Sequence, residues 1–221
     1  MDLLVKFKFP REEYDDRELT EQKMLALQYE IINDWKKKKE TDYLINGPPA
    51  LGIVGALCGI YVNSYYRRKL KLRSFGRGTS YLPIVVLPAL VAPVVHKVMI
   101  QSHLLLRQYD CPVCIQIRAG LLQAAVAGVY PAILAPLASF MFATRHFTYK
   151  LPSITQSPME VFQLWKKLTR PIALPLLGIC FGNYLFGMYI TSRQIEDFHS
   201  IMIQVDKATS RLESGLDGNV S

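Results

Sequence analysis

Between Tyr43 and Thr191 the chain carries only two acidic side chains, Asp110 and Glu160, although Asp and Glu number 18 in its 221 residues. A water-soluble domain of that size needs roughly 25–35% of its surface positions charged, with both signs interspersed. The middle of this chain is therefore built for a solvent other than water. Its basic residues do not restore the balance, because they gather at the edges of four uncharged runs. The runs cover about residues 43–66, 78–96, 119–144 and 171–192, the second ending on neutral His96. A helix rises about 1.5 Å per residue, so roughly 20 residues cross a hydrocarbon core about 30 Å thick. The expected fold is all-α: an integral membrane bundle of four transmembrane helices in residues 43–192. A charged N-terminal segment, 1–42, precedes it and a C-terminal tail, 193–221, follows, the tail reading as a short frayed terminus. The second run carries Pro83, Pro88 and Pro93. Proline kinks a helix and frees a carbonyl, which a membrane bundle tolerates when neighbours satisfy it.

Small residues recur every four positions in three of the runs: Gly55 and Gly59; Gly120, Ala124, Gly128 and Ala132; Gly178 and Gly182. Residues four apart share a helix face, and small ones let two backbones approach closely in lipid. These are the expected packing residues, with the partner helix in this chain or in another. No Asp, Glu, Lys or Arg lies within a run, whereas proton and ion pathways use buried ionisable groups. Asn63, Gln123 and Asn183 are the conspicuous polar side chains. They suit hydrogen bonds between helices or interfacial caps better than a substrate site. Tyr61, Tyr65, Tyr66 and Tyr81 border runs, where aromatic rings favour the headgroup layer.

In the N-terminal segment, Met24, Leu27, Ile31 and Trp35 recur at spacings of three and four. They predict an amphipathic helix whose stripe packs on its own protein, lies on the membrane or docks a partner. The basic residues Arg67, Arg68, Lys69, Lys71 and Arg73 follow the first run and read as a flank for anionic lipid. With no soluble domain bearing a basic face, no nucleic-acid partner is expected. The six acids in the first 20 residues do not suit an acid-poor transit peptide.

Cys111 and Cys114, in Asp110-Cys111-Pro112-Val113-Cys114, can form a redox disulfide or half a metal site. The structural alternative is two thiols at the start of the third helix. His96 and His103 precede them at spacings that match no compact zinc module. No phosphate loop or hydrolase motif occurs, so neither catalytic residues nor a cofactor are expected.

An ordered series of short motifs resembles the transmembrane protein 126 family of mitochondrial inner-membrane proteins. It runs Ala56-Leu57-Cys58-Gly59, Asn63-Ser64-Tyr65-Tyr66-Arg67-Arg68, the double-cysteine segment, Arg118-Ala119-Gly120, Gly128-Val129-Tyr130-Pro131, Ala143-Thr144-Arg145-His146 and Leu151-Pro152. The resemblance covers about residues 42–188. It implies a multi-pass protein of the mitochondrial inner membrane, a non-enzymatic assembly factor for the membrane arm of respiratory complex I. The implied partners are complex I assembly intermediates and membrane-arm subunits. For one branch they include an assembly-factor complex of an acyl-CoA-dehydrogenase-like protein, Ecsit and a complex I intermediate-associated protein. The other branch is linked to a different membrane-arm module and to the inner-membrane insertase; the double cysteine is shared with that branch. A small inner-membrane carrier or channel, or an enzyme using Cys111 and Cys114, are the alternatives.

Overall fold

The fold is that of a computed structural model, which describes residues 17–35, 37–109, 111–146 and 158–217. Among these residues every regular element is helical. Helix α1 spans Arg17–Asp34, and α2 spans Asp42–Lys69. Helix α3 runs over Arg77–Leu105 and α4 over Pro112–Arg145. A short helix α5, Pro158–Thr169, leads through a 3-10 turn at Arg170–Ile172 into α6, Ala173–Asp217. The four segments long and apolar enough to cross a membrane are α2, α3, α4 and the run Met159–Lys207, which joins α5 to α6. They alternate in direction, and α2 lies against each of the other three.

Burial follows the logic of a lipid solvent. Large apolar side chains stay exposed along the outside, including Ile53, Leu90, Leu121, Met141 and, at 79% exposure, Leu174. Small and polar residues occupy much of the inside, because lipid-facing positions gain nothing from being polar and close helix contacts favour short side chains. Three apolar clusters line the bundle. One, at the end where α2 and α4 begin, joins Leu44, Ile100, Leu104 and Ile115 to Phe198 and Ile201 of α6. A second centres on Val62, Tyr66, Ile84 and Ala135. The third, at the opposite end, packs Leu164, Trp165 and Leu168 of α5 onto Leu70, Leu72, Phe140 and Ala143.

The tail differs from the sequence expectation. Helix α6 does not stop near residue 192 but continues without a break to Asp217. Phe198, Ile201 and Val205 are buried there, in the first cluster with Ile32 of α1 and the half-buried Leu25, Tyr29 and Trp35. The tail is thus a packed half-helix, whose apolar residues recur at spacings of three and four and are covered by α1.

Three π-helical stretches, Leu82–Val86, Lys97–Gln101 and Ala124–Val129, interrupt α3 and α4. Each widens the helix locally and changes its register. In α4 one buried row runs Ile115, Ala119, Gln123, Ala127, Pro131, Ala135, Ser139 and Ala143, four apart throughout, with Gly120, Gly128, Pro136 and Phe140 buried beside it. An ideal α-helix would rotate that row by about 40° per step; the wider segment removes part of the drift and keeps the row inward.

Candidate functional site

The prolines of the bundle create the site. Pro48 in α2 has no N–H for the carbonyl of Leu44 four residues earlier. The side-chain amide of Gln101, from α3, donates to that oxygen at 2.8 Å. Pro88, just past the π-helical stretch of α3, has no N–H for the carbonyl of Pro83 five residues earlier, and the Tyr130 hydroxyl of α4 donates to that oxygen at 3.1 Å. Pro88 and Pro93 also leave the carbonyls of Ile84 and Ala89 without their α-helical donors. Both oxygens point at glycines of α2: a Cβ added to Gly59 would overlap Ile84 O, and one added to Gly52 would overlap Ala89 O. Only residues without a side chain admit these carbonyls.

Polar side chains extend this arrangement into a seam. Gln123 of α4 donates to Leu51 O at 3.1 Å and to Asn183 Oδ1 of α6 at 3.2 Å. The amide of Asn183 donates to Ile179 O at 2.8 Å and reaches Cys58 Sγ at 3.3 Å. Nearer the first cluster, buried His96 Nε2 lies 2.8 Å from Gln194 Oε1. The amide of Gln194 donates to Tyr43 O at 3.0 Å. Asp197 then accepts from the Tyr43 N–H at 3.0 Å, so α6 caps the first turn of α2, where an unpaired donor and the positive end of the helix dipole favour a carboxylate. A cavity of about 10 Å³ lies beside the seam, lined by His96, Gln123 and Val126 among others; that is about the room one water requires.

The small residues of the expected packing faces divide. Gly55, Gly59, Gly120 and Gly128 each sit against another helix: Gly55 near Ala127, Gly120 near Tyr184 and Gly128 near Cys180. Ala124 and Ala132 are only half-buried, whereas Gly120 and Gly128 of the same ridge are buried beside Ala119 and Ala127. Gly178 and Gly182 need correction: nothing lies within 4 Å of a Cβ added to either. They face outward, and Gly187 makes the close contact instead, against Ala119 O and Gly120.

The basic flank also divides. Arg68, Lys69, Lys71 and Arg73 are exposed, but Arg67 is 6% exposed and does not face headgroups. Its guanidinium donates to the carbonyls of Arg73, Phe75 and Gly76 and to Ser80 Oγ, at 2.9–3.2 Å. It organises the turn between α2 and α3, in which Lys71, Arg73 and Gly76 all have positive φ. Tyr66, expected at the membrane interface, is fully buried and its hydroxyl meets Thr169 at 2.9 Å.

In α1, Met24 and Leu27 are half-buried, whereas Ile31 is 4% exposed. Trp35 packs on the first cluster and donates through Nε1 to Glu40 at 3.0 Å. The inner half of the proposed docking stripe is therefore already occupied by this chain. The hydrogen bond from Trp35, followed by one from Gln204 of α6 at 2.7 Å, holds the Glu40 carboxyl below its ordinary pKa. Cys111 caps the start of α4, its Sγ accepting from Cys114 N–H at 3.4 Å, and both cysteines are free thiols. Asp110 lies outside the described residues. Among those residues no three His, Cys, Asp or Glu side chains gather as a metal site would require.

The model of the family described as Transmembrane protein 126 matches residues 24–209. The chain belongs to the transmembrane protein 126 family. Transmembrane protein 126 of Drosophila melanogaster is 42% identical over 197 residues, 88% of each chain. Transmembrane protein 126A of Homo sapiens is 27% identical over 155 residues, 70% of this chain and 77% of that one. Transmembrane protein 126A of Mus musculus is 26% identical over 157 residues, 71% and 78% of the two chains. No solved structure matches. The transmembrane protein 126 match reaches past residues 42–188 on both sides, into α1 and the continued part of α6, the two elements that pack together on the first cluster.

The sequence suited Asn63, Gln123 and Asn183 to interhelical bonds or interfacial caps; Gln123 and Asn183 bond to each other between α4 and α6, and the Asn63 amide donates to Ser80 Oγ of α3 at 3.4 Å. The sequence suggested no role for Gln101 or Gln194. For Gln101 a signal existed: Pro48 announces an orphaned carbonyl at Leu44, which some donor must meet. For Arg67 the signal was weaker, a basic residue before a loop rich in positive-φ positions.

Proposed function

We propose that this transmembrane protein 126 chain is a non-enzymatic scaffold of the mitochondrial inner membrane that assists assembly of the membrane arm of respiratory complex I. Its partners are assembly intermediates, membrane-arm subunits and other assembly factors, with anionic lipid at the basic flank. Family membership and the motif resemblance give the reading its direction. The observation that carries the scaffold part is how the buried polar groups are used. Gln101, Gln123, Asn183, His96, Gln194 and Tyr130 join helices to one another or satisfy carbonyls that prolines release. Such a seam fixes a bundle and leaves its long apolar outer faces to meet other membrane segments.

Deleting the protein is expected to lower assembled complex I on native gels while other respiratory complexes persist, and tagged protein is expected to migrate with complex I intermediates. Normal complex I in a full knockout without a compensating paralogue would refute the reading. Solute flux by the purified protein in vesicles would favour a carrier or channel instead.

A further inference from the structure

We propose that Cys111 and Cys114 are a redox-active dithiol that closes to an intramolecular disulfide by exchange with disulfides of the glutathione class. The pair sits where α4 begins. Cys111 holds the cap position in an extended conformation, φ −128° and ψ 118°, and Pro112 starts the helix behind it. The backbone N–H of Cys114 donates to Cys111 Sγ at 3.4 Å, so the sulfur of the first cysteine lies against the backbone of the second. This is the environment that favours a thiolate: unpaired N–H groups at a helix start, a positive dipole end and a neighbouring donor. In keeping with it, the hydrogen bond from the Cys114 side chain, then that from its backbone, holds the Cys111 thiol below its ordinary pKa.

Access agrees. Cys114 is exposed and Cys111 half-buried, and Ile115 next to them is buried in the first cluster, so the pair stands at the edge of a packed region. A disulfide needs Cβ atoms about 3.5–4.5 Å apart. Forming it exchanges the bond from Cys114 N–H to Cys111 Sγ for the S–S bond, while Ile115 N–H can keep the Cys111 carbonyl as its acceptor. Cys58 and Cys180 differ: both lie well inside the uncharged runs, Cys58 receiving Asn183 and Cys180 packed on Gly128.

The exchange balances in two steps. The Cys111 thiolate attacks one sulfur of oxidised glutathione; a Cys111–glutathione disulfide forms and one glutathione thiolate leaves. The Cys114 thiol, losing its proton to solvent, attacks the Cys111 sulfur. The 111–114 disulfide forms and the second glutathione thiolate leaves. The pair gives up two electrons, and one oxidised glutathione becomes two reduced ones. Reversal by reduced glutathione reopens the pair.

The test uses full-length protein reconstituted in liposomes and equilibrated with glutathione buffers of graded ratio. Thiols are trapped with a maleimide, and the peptide containing residues 111–114 is read by mass spectrometry. Both thiols are expected to vanish together in one two-electron transition. In Cys114→Ser, Cys111 is expected to accumulate a glutathione adduct faster than Cys114 does in Cys111→Ser, because its sulfur sits at the cap position facing the N–H of residue 114. Serine is itself a good helix cap, so Cys111→Ser keeps the helix start. Independent loss of the two thiols with stable adducts on both, no oxidation across the glutathione range, or faster reaction at Cys114 would overturn the proposal.

Discussion

The guanidinium of Arg67 makes four hydrogen bonds at the end of α2, three of them to carbonyls of the turn that follows. Arg67→Met keeps the apolar stem and strands those acceptors, so a loss on the order of 2–4 kcal/mol is expected. Exposed Arg68→Met should stay within about 0.5 kcal/mol. Thermal unfolding of both variants in detergent checks this, and equal shifts would return Arg67 to the lipid flank. Glycine positions give a second contrast. A Cβ at Gly128 would come within 2.9 Å of Cys180 Sγ and 3.2 Å of its Cα, and backbone cannot yield as a side-chain tip can. Gly128→Leu is expected to cost at least the 1–3 kcal/mol typical of overpacking. Outward-facing Gly178→Leu should leave the bundle intact and, by helix propensity, stabilise it by up to about 1 kcal/mol. Protease resistance at matched expression separates the two.

At the scale of elements, proline sets how the helices join. A proline in α2 or α3 releases a carbonyl, and that carbonyl binds a side chain or a glycine face on the neighbouring helix. Gln101 and Leu44 O make this measurable. Gln101→Leu alone should cost on the order of 1–3 kcal/mol, because the Leu44 carbonyl is left buried without a donor. In a Pro48→Ala background the helix supplies its own N–H, and the same change should cost less. A double-mutant cycle reads the coupling. Strict additivity would mean that Gln101 does not stand in for the missing backbone donor. The π-helical stretch of α4 belongs to this scale too. It keeps Ala127 and Pro131 on the buried row of Ala119 and Gln123, beside Gly120 and Gly128 of the expected ridge, which are buried, while Ala124 and Ala132 are half-buried.

Across the whole molecule, α1 and the end of α6 close one end of the bundle, and Glu40 ties them together. It accepts from Trp35 beside α1 and from Gln204 of α6 and pairs with Lys37 at 3.2 Å. Its folded pKa lies below the unfolded one, so the native state keeps it ionised more readily than the unfolded state does. The stabilisation is present above the unfolded value and is lost as pH falls through the folded one. Acid is therefore expected to loosen α1 from α6, seen as faster proteolysis of α1 below about pH 4, an ordinary glutamate value. Glu40→Gln should cleave readily at neutral pH and show less acid dependence. Unchanged acid sensitivity in that variant would assign the effect to other carboxylates.

The number of spans and the small size of the side chains four apart were legible in the residues. They follow from local quantities: the length of an uncharged run, the charges that stop it and the size of side chains four apart. The turn at Arg67, the inward row of α4, the outward turn of Gly178 and Gly182 and the continuation of α6 to Asp217 were not legible. Each depends on which neighbour faces a given side of a helix. The sequence shows that Pro48 must free a carbonyl and that the segment after residue 192 can be helical. Only the packed bundle decides that Gln101 meets that carbonyl and that α1 covers that segment, because hydrogen bonds and buried area between distant residues exist only once the helices are side by side.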